Sequence, residues 1–170
     1  MNKSLVLTGM MGVGKSTIGR LLANKLKVRF IDIDNLIEKK EGKSISKIFQ
    51  VSGEAYFRDI EQKITKEVVK NSKGVIALGG GGFINPEIRN DVLKYSISFW
   101  LHAKLETLVK RYKKNKKRPL LKSNIGSNVK KIFFLRKKIY AQANFRINCD
   151  DIEKKEIIDK IIKLKKKNEN

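Results

Sequence analysis

Residues Gly9 to Thr17 read GMMGVGKST: a glycine, four residues, then Gly-Lys-Ser, directly after the short apolar run Ser4 to Thr8 (SLVLT). No other stretch restricts the fold as tightly. Beyond the loop, Ile18, Leu21, Leu22 and Leu26 recur at helical spacing, so the pattern predicts strand, glycine-rich turn and a helix over Lys15 to Leu26. Gly12 and Gly14 let the backbone curl inward until successive N–H groups and the helix N-terminus face an anion. The residues from Gly12 through Val13, Gly14, Lys15 and Ser16 to Thr17 are therefore candidates to hold nucleotide phosphates. Lys15 is placed to bridge the outer phosphates and the Ser16 hydroxyl to bind Mg²⁺. The reaction stays open at this point, because motors, GTPases and small-molecule kinases share such a loop.

The rest of the chain continues the alternation. Val28 to Ile33, Gly74 to Leu78, Ile97 to Leu101 and Phe145 to Cys149 read as strands. Ala55 to Val69, Pro86 to Leu93 behind an Asn85 cap, Lys104 to Tyr112, Asn128 to Ala143 and Ile152 to Lys166 read as helices. This order predicts a three-layer α/β fold around a parallel sheet. At 170 residues, near the ~150 typical of a domain, the whole chain is expected to form one domain. Arg111 to Lys122 breaks the periodicity with charge and one proline, and reads as a mobile surface loop able to close over a ligand.

Composition removes other classes. A single cysteine, Cys149, excludes an intrachain disulfide, and a single histidine, His102, leaves no cluster for zinc. No apolar run approaches the ~20 residues of a membrane-spanning helix, and a cytoplasmic protein is expected. The formal charge of +22 raises nucleic acid as a partner, yet only 8 of the 39 basic residues are Arg, and lysine disperses over solvated surfaces. The excess is uneven: Thr107 to Cys149 holds 14 Lys and Arg and no acid, which suits a polyanionic ligand such as a nucleotide.

Two nucleotide-binding subclasses are argued against by what the chain lacks. Asn115-Lys116-Lys117-Arg118 has Arg where a guanine-reading motif needs Asp, and no Asp-x-x-Gly occurs. The third strand ends in Gly79 to Gly82 and not in the acidic residue with which motor-type ATPases hold Mg²⁺. In open α/β sheets ligands bind beyond the carboxyl ends of strands, so the residues there are the ones to question. Asp32-Ile33-Asp34 ends the second strand, and its spacing of two sets both carboxylates on one side of an extended chain. They serve there as magnesium and substrate groups, or else Asp34 merely caps a helix at Asn35 to Lys40. The glycines at 79–82 permit close approach of a ligand or form a turn. Glu54, Arg58 and Glu61 fall at helical spacings of four and three, so either glutamate can orient the guanidinium, or the group is a surface ion pair. Arg118 and Arg136, arginines in a lysine-rich chain, suggest bidentate contacts.

Together these segments resemble the shikimate kinases, small P-loop kinases of aromatic biosynthesis. The resemblance spans Leu5 to Asn148 and rests on GMMGVGKST at 9–17, FIDID at 30–34, GEAYFRDIE at 53–61, LGGGG at 78–82, RPLL at 118–121 and Arg136 followed by Tyr140-Ala141. It implies that Asp34, Arg58, Arg136, Gly80 and Gly81 hold shikimate, with both arginines on its carboxylate and Asp34 on its ring hydroxyls. Lys15 and Arg118 would serve the transferring phosphoryl group, Ser16 and Asp32 the magnesium shell, Glu61 the bracing of Arg58, and Arg111 the face of adenine. Two positions depart from the family: Ile33 replaces the usual Ser or Thr, and the Arg-x-Pro stretch that often flanks adenine is missing after Asn148.

The family also implies a P-loop kinase fold with a five-stranded parallel sheet, a lid at about 112–123, and a mostly monomeric cytoplasmic enzyme; the lysine-rich end of the chain, at about 163–170, reads separately as a basic tail. The expected activity is transfer of the γ-phosphoryl group of ATP to the 3-hydroxyl of shikimate, with Mg²⁺ as cofactor and Lys15, Asp34 and Arg118 as the catalytic groups. Two readings compete with it: a small-molecule kinase acting on gluconate or a nucleotide, and a basic ATP-dependent nucleic-acid-binding protein. No membrane contact and no obligatory nucleic acid are expected.

Overall fold

The computed structural model describes residues 3–114 and 125–169. Five strands, β1 (Ser4–Thr8), β2 (Phe30–Asp32), β3 (Val75–Ala77), β4 (Ser96–His102) and β5 (Phe145–Asn148), form one parallel sheet in the order β2-β3-β1-β4-β5. The described helices are α1 (Lys15–Leu26), α2 (Ile33–Glu41), α3 (Ile45–Asn71), α4 (Pro86–Tyr95), α5 (Leu105–Lys114), α6 (Ile125–Tyr140) and α7 (Lys154–Glu169). Every residue of β1 and of β4 is buried. Successive residues of a strand face opposite sides, so both faces of the sheet are covered and the three-layer expectation holds.

This strand order positions the site. β1 is central, with β3 on one side and β4 on the other, and β2 lies beyond β3. Leu7 and Asp32 both pair with Ala77, so the carboxyl ends of β1, β2 and β3 are level. The phosphate-loop candidate, the aspartates and the glycine run therefore leave the sheet side by side.

Four local features differ from the sequence reading. The chain does not continue extended through Asp34: β2 stops at Asp32, whose carboxylate accepts from the Asn35 backbone N–H at 3.4 Å and caps α2. Asp32 and Asp34 thus stand at a helix cap and in its first turn, not on one side of a strand. The helix expected from Ala55 starts at Ile45, capped by Ser44, and is interrupted at Gly53, where φ is 81°. Arg111 lies on α5, which runs to Lys114, and the segment expected as a tail from Lys163 is part of α7. Arg118 and most of the expected lid lie outside the described residues. Among the described residues no helix is long and apolar enough to cross a membrane.

Candidate active site

The loop after β1 is shaped by glycine. Gly12 has φ 78° and Gly14, the residue before α1, has φ 108°, values that L side chains rarely adopt. The turn they make leads straight into α1, whose first N–H groups have no partner within the helix. Lys15 is only 8% exposed, and its ammonium donates to the carbonyls of Gly9 at 2.8 Å and Met10 at 3.1 Å. Its charge is therefore held on the concave side of the loop. Ser16 and Thr17 are exposed on the first turn of α1. From α5, Arg111 donates to the Val13 carbonyl at 3.1 Å, which brings it to the loop's edge.

Beside this loop, the segment after β3 draws in side chains from three helices. Asp34 of α2 and Glu61 of α3 both press on Gly79: a Cβ there would lie 2.5 Å from Asp34 Oδ1 and 2.8 Å from Glu61 Oε1. Arg58 presses on the next glycine but one, with Nη1 2.5 Å from where a Gly81 Cβ would stand. Between them Gly80 faces the phosphate loop, since its Cβ would be 3.3 Å from the Met11 Cβ and backbone N. On the far side α6 supplies Arg136, which donates from Nη1 to the Gly80 carbonyl at 2.9 Å, and Tyr140, whose hydroxyl donates to the same oxygen. The fold thus brings Asp34, Arg58, Glu61, Gly79, Gly80, Gly81 and Arg136 together next to the loop of Lys15.

The substitution Gly79→Ala tests that crowding. Its methyl group must displace both carboxylates, so we expect a loss of ~1–3 kcal/mol of stability and a several-fold weaker acceptor site, read by thermal melting and by acceptor KM. An unchanged acceptor KM would mean that the two carboxylates play no part in binding.

Arg58 is braced from two sides. Nη1 donates to Glu61 Oε2 at 2.6 Å, while Nε and Nη2 donate to Glu54 Oε1 at 3.2 and 3.0 Å. A guanidinium has five N–H groups, so one remains on each of Nη1 and Nη2, enough for one bidentate carboxylate. Burial works against the Arg58 charge, but Glu61 and Glu54 outweigh it and hold its pKa above the ordinary value. Glu61 is 1% exposed, and its Oε1 has no hydrogen-bond partner among the described residues. Burial pushes its carboxyl up from the usual value, with Arg58 opposing the shift and Asp34 adding to it. The bland reading of Arg58 as a surface ion pair fails here, because one of its two partners is fully buried.

Mg²⁺ prefers hard oxygen donors and keeps several waters, so it binds through one or two protein groups plus substrate phosphates. Ser16 offers a hydroxyl and Asp32 a half-buried carboxylate, and among the described residues no group of three or more His, Cys, Asp or Glu forms a dedicated cage. That donor set fits the ion.

Tyr140 entered the sequence reasoning only as part of the motif that follows Arg136, with no role assigned to it. It is 1% exposed, and burial pushes its hydroxyl pKa up to about 12, so it is a fixed neutral donor. A signal was present: Val129, Phe133, Arg136 and Tyr140 follow one stripe of α6, and the only two members with strong donors are a turn apart.

Proteins similar to this chain identify its family. The family model described as shikimate kinase matches residues 11–166. A shikimate kinase of Sulfurihydrogenibium sp. is 42% identical over 166 residues, 97% of this chain and 99% of that protein. One from Persephonella marina is 42% identical over 160 residues, 94% of this chain and 97% of the relative. Among solved structures, shikimate kinase from Acinetobacter baumannii in complex with shikimate superposes with a TM-score of 0.94 at 30% identity, covering 99% of this chain and 95% of that one. A gluconokinase from Sinorhizobium meliloti reaches a TM-score of 0.63 at 14% identity over 97% of this chain and 92% of that one, a likeness of fold alone. With a family model matched along nearly its whole length and relatives of this identity and coverage, the chain belongs to the shikimate kinase family.

Proposed function

We propose that this chain transfers the γ-phosphoryl group of ATP to the 3-hydroxyl of shikimate, with Gly12 to Thr17 and Arg111 holding ATP and Asp34, Arg58, Gly80, Gly81 and Arg136 holding shikimate. The observation that carries the reading is the convergence of Arg58 and Arg136 on Gly80-Gly81, beside Asp34 and against the phosphate loop. Two guanidinium groups with free N–H edges suit a carboxylated acceptor. One carboxylate among them suits a hydroxyl that must be aligned.

Phosphoryl transfer of this kind passes through a loose transition state, so catalysis rests on positioning and charge more than on a strong base. Asp34 accepts the hydroxyl hydrogen bond, points the oxygen at the phosphorus, and takes the proton as the new bond forms. Glu61 and Glu54 fix Arg58 so that little side-chain freedom is lost when the acceptor carboxylate arrives. Lys15 spreads its charge over the phosphoryl oxygens, and the family resemblance assigns Arg118, outside the described residues, to the same task. Ser16 and Asp32 would hold Mg²⁺, which when bound neutralises phosphate charge. Arg111, held at the loop's edge by its bond to the Val13 carbonyl, would pack against the base of ATP.

A coupled assay offering shikimate, gluconate and nucleoside monophosphates in parallel tests the acceptor: turnover with shikimate alone is expected. The variant Arg136→Lys sharpens it by keeping charge and removing the planar fork. An ammonium is a point donor without the fork that grips a carboxylate bidentately, so shikimate binding should weaken by about 1–3 kcal/mol with ATP affinity nearly unchanged. An analogue lacking the carboxylate should lose nothing. Equal weakening of both ligands, or of neither, would remove the carboxylate assignment.

A further inference from the structure

We infer that Tyr140 is a positioning residue for the acceptor clamp: its hydroxyl, by holding the Gly80 carbonyl, sets the place of the Arg136 guanidinium. The inference rests on the reading of Arg136 as the partner of the acceptor carboxylate. Arg136 and Tyr140 are four residues apart on α6, hence on one face, and both donate to a single oxygen across the site. A carbonyl oxygen has two lone pairs, so these two donors saturate it. The Arg136 N–H that reaches Gly80 is thereby spoken for, which leaves the rest of the guanidinium's N–H groups for the acceptor carboxylate.

The two donors differ in how firmly they are held. Arg136 is half-buried on a long, flexible stem. The Tyr140 ring lies in the core and stacks on Trp100 of β4, with centroids 6.2 Å apart and planes 26° from parallel. Its hydroxyl therefore has a fixed location, set by the sheet. Holding the Gly80 oxygen also fixes the plane of the Gly80-Gly81 peptide, because the carbonyl and the following N–H are opposed in one rigid unit. Without that hold, the carbonyl is free to tilt and the guanidinium to follow it. A purely structural role would be simpler: a buried tyrosine needs a partner, and Gly80 supplies one.

The variant Tyr140→Phe separates the two accounts, since it keeps the ring and deletes only the oxygen. Positioning predicts that the KM and Kd of shikimate rise roughly tenfold, on the order of the worth of one hydrogen bond, while kcat and ATP KM stay within about twofold. An acceptor analogue lacking the carboxylate should bind wild type and variant alike. In the double variant with Arg136→Lys, the second substitution should add less than about a twofold change, because both act through one contact. A lowered melting temperature with unchanged shikimate KM, effects that multiply in the double variant, or failure of Tyr140→Phe to fold would each overturn the role. If Arg136→Lys itself leaves shikimate binding intact, the functional reading fails and this inference with it. A normal Arg136→Lys effect beside a silent Tyr140→Phe sinks only the inference.

Discussion

Replacing Lys15 with alanine is expected to lower phosphoryl transfer by ~100-fold or more, equivalent to at least ~2.7 kcal/mol of lost charge stabilisation in the transition state. The ammonium is almost fully buried and held on two carbonyls of its own loop, so its charge already stands beside the backbone proposed to cradle the phosphates. The same two contacts make the substitution slightly destabilising, because the Gly9 and Met10 oxygens each lose a donor. Steady-state turnover and a thermal melt distinguish the effects: a folded protein with less than about a tenth of wild-type turnover is the expected result, and greater retention would contradict the role.

Asp34→Asn should lower turnover on the order of 100-fold, the contribution typical of a positioned proton acceptor, and should weaken shikimate while sparing ATP. Asparagine keeps the shape that fits against Gly79 and the place in the first turn of α2, so the fold has little reason to change. What it lacks is negative charge and a site for the proton. Equal loss of ATP and shikimate affinity would move Asp34 into the nucleotide site.

The parts of the molecule legible in the sequence are those decided locally. The bounds of α1 are the predicted ones because its start is set by glycines that close the loop and its end by a left-handed residue, Lys27, after an apolar stripe. The Asn85 side chain caps α4 through the backbone N–H groups of Glu87 and Ile88, as the Asn-Pro pair announced. Where two local choices compete, the reading failed: a strand continuing through Asp34 and a cap at Asp32 both fit FIDID, and the side-chain hydrogen bond at Asp32 favours the cap. The first part of α3, before Gly53, carries Ile45, Ile48 and Phe49 at helical spacing, too short a run to be read as a helix by periodicity alone.

The candidate site was legible only as separate pieces. Glu54, Arg58 and Glu61 share a helix, so their spacing showed that they could meet but left a brace and a surface ion pair both open. The contact of Tyr140 with Gly80 joins positions 60 residues apart, and no periodicity in either segment encodes it. Nor does a run of four glycines state which of its members is crowded. At Gly79 the neighbours are two carboxylates, at Gly81 a guanidinium, and at Gly82 a Cβ would meet nothing nearer than 3.5 Å. The run looks uniform in sequence and is not uniform in the fold.

The close approach of Gly80 to Met11 has a thermodynamic side. The pocket proposed for the phosphate donor and the pocket proposed for its acceptor share a wall one backbone thick, so a displacement of that wall by either ligand is felt by the other. Any factor by which nucleotide changes the affinity for the acceptor must then be returned, unchanged, as the factor by which acceptor changes the affinity for nucleotide. A substitution in the wall that alters one of these factors must alter its reciprocal equally, so order of addition sets the kinetics of assembly but leaves the coupling energy of the ternary complex the same.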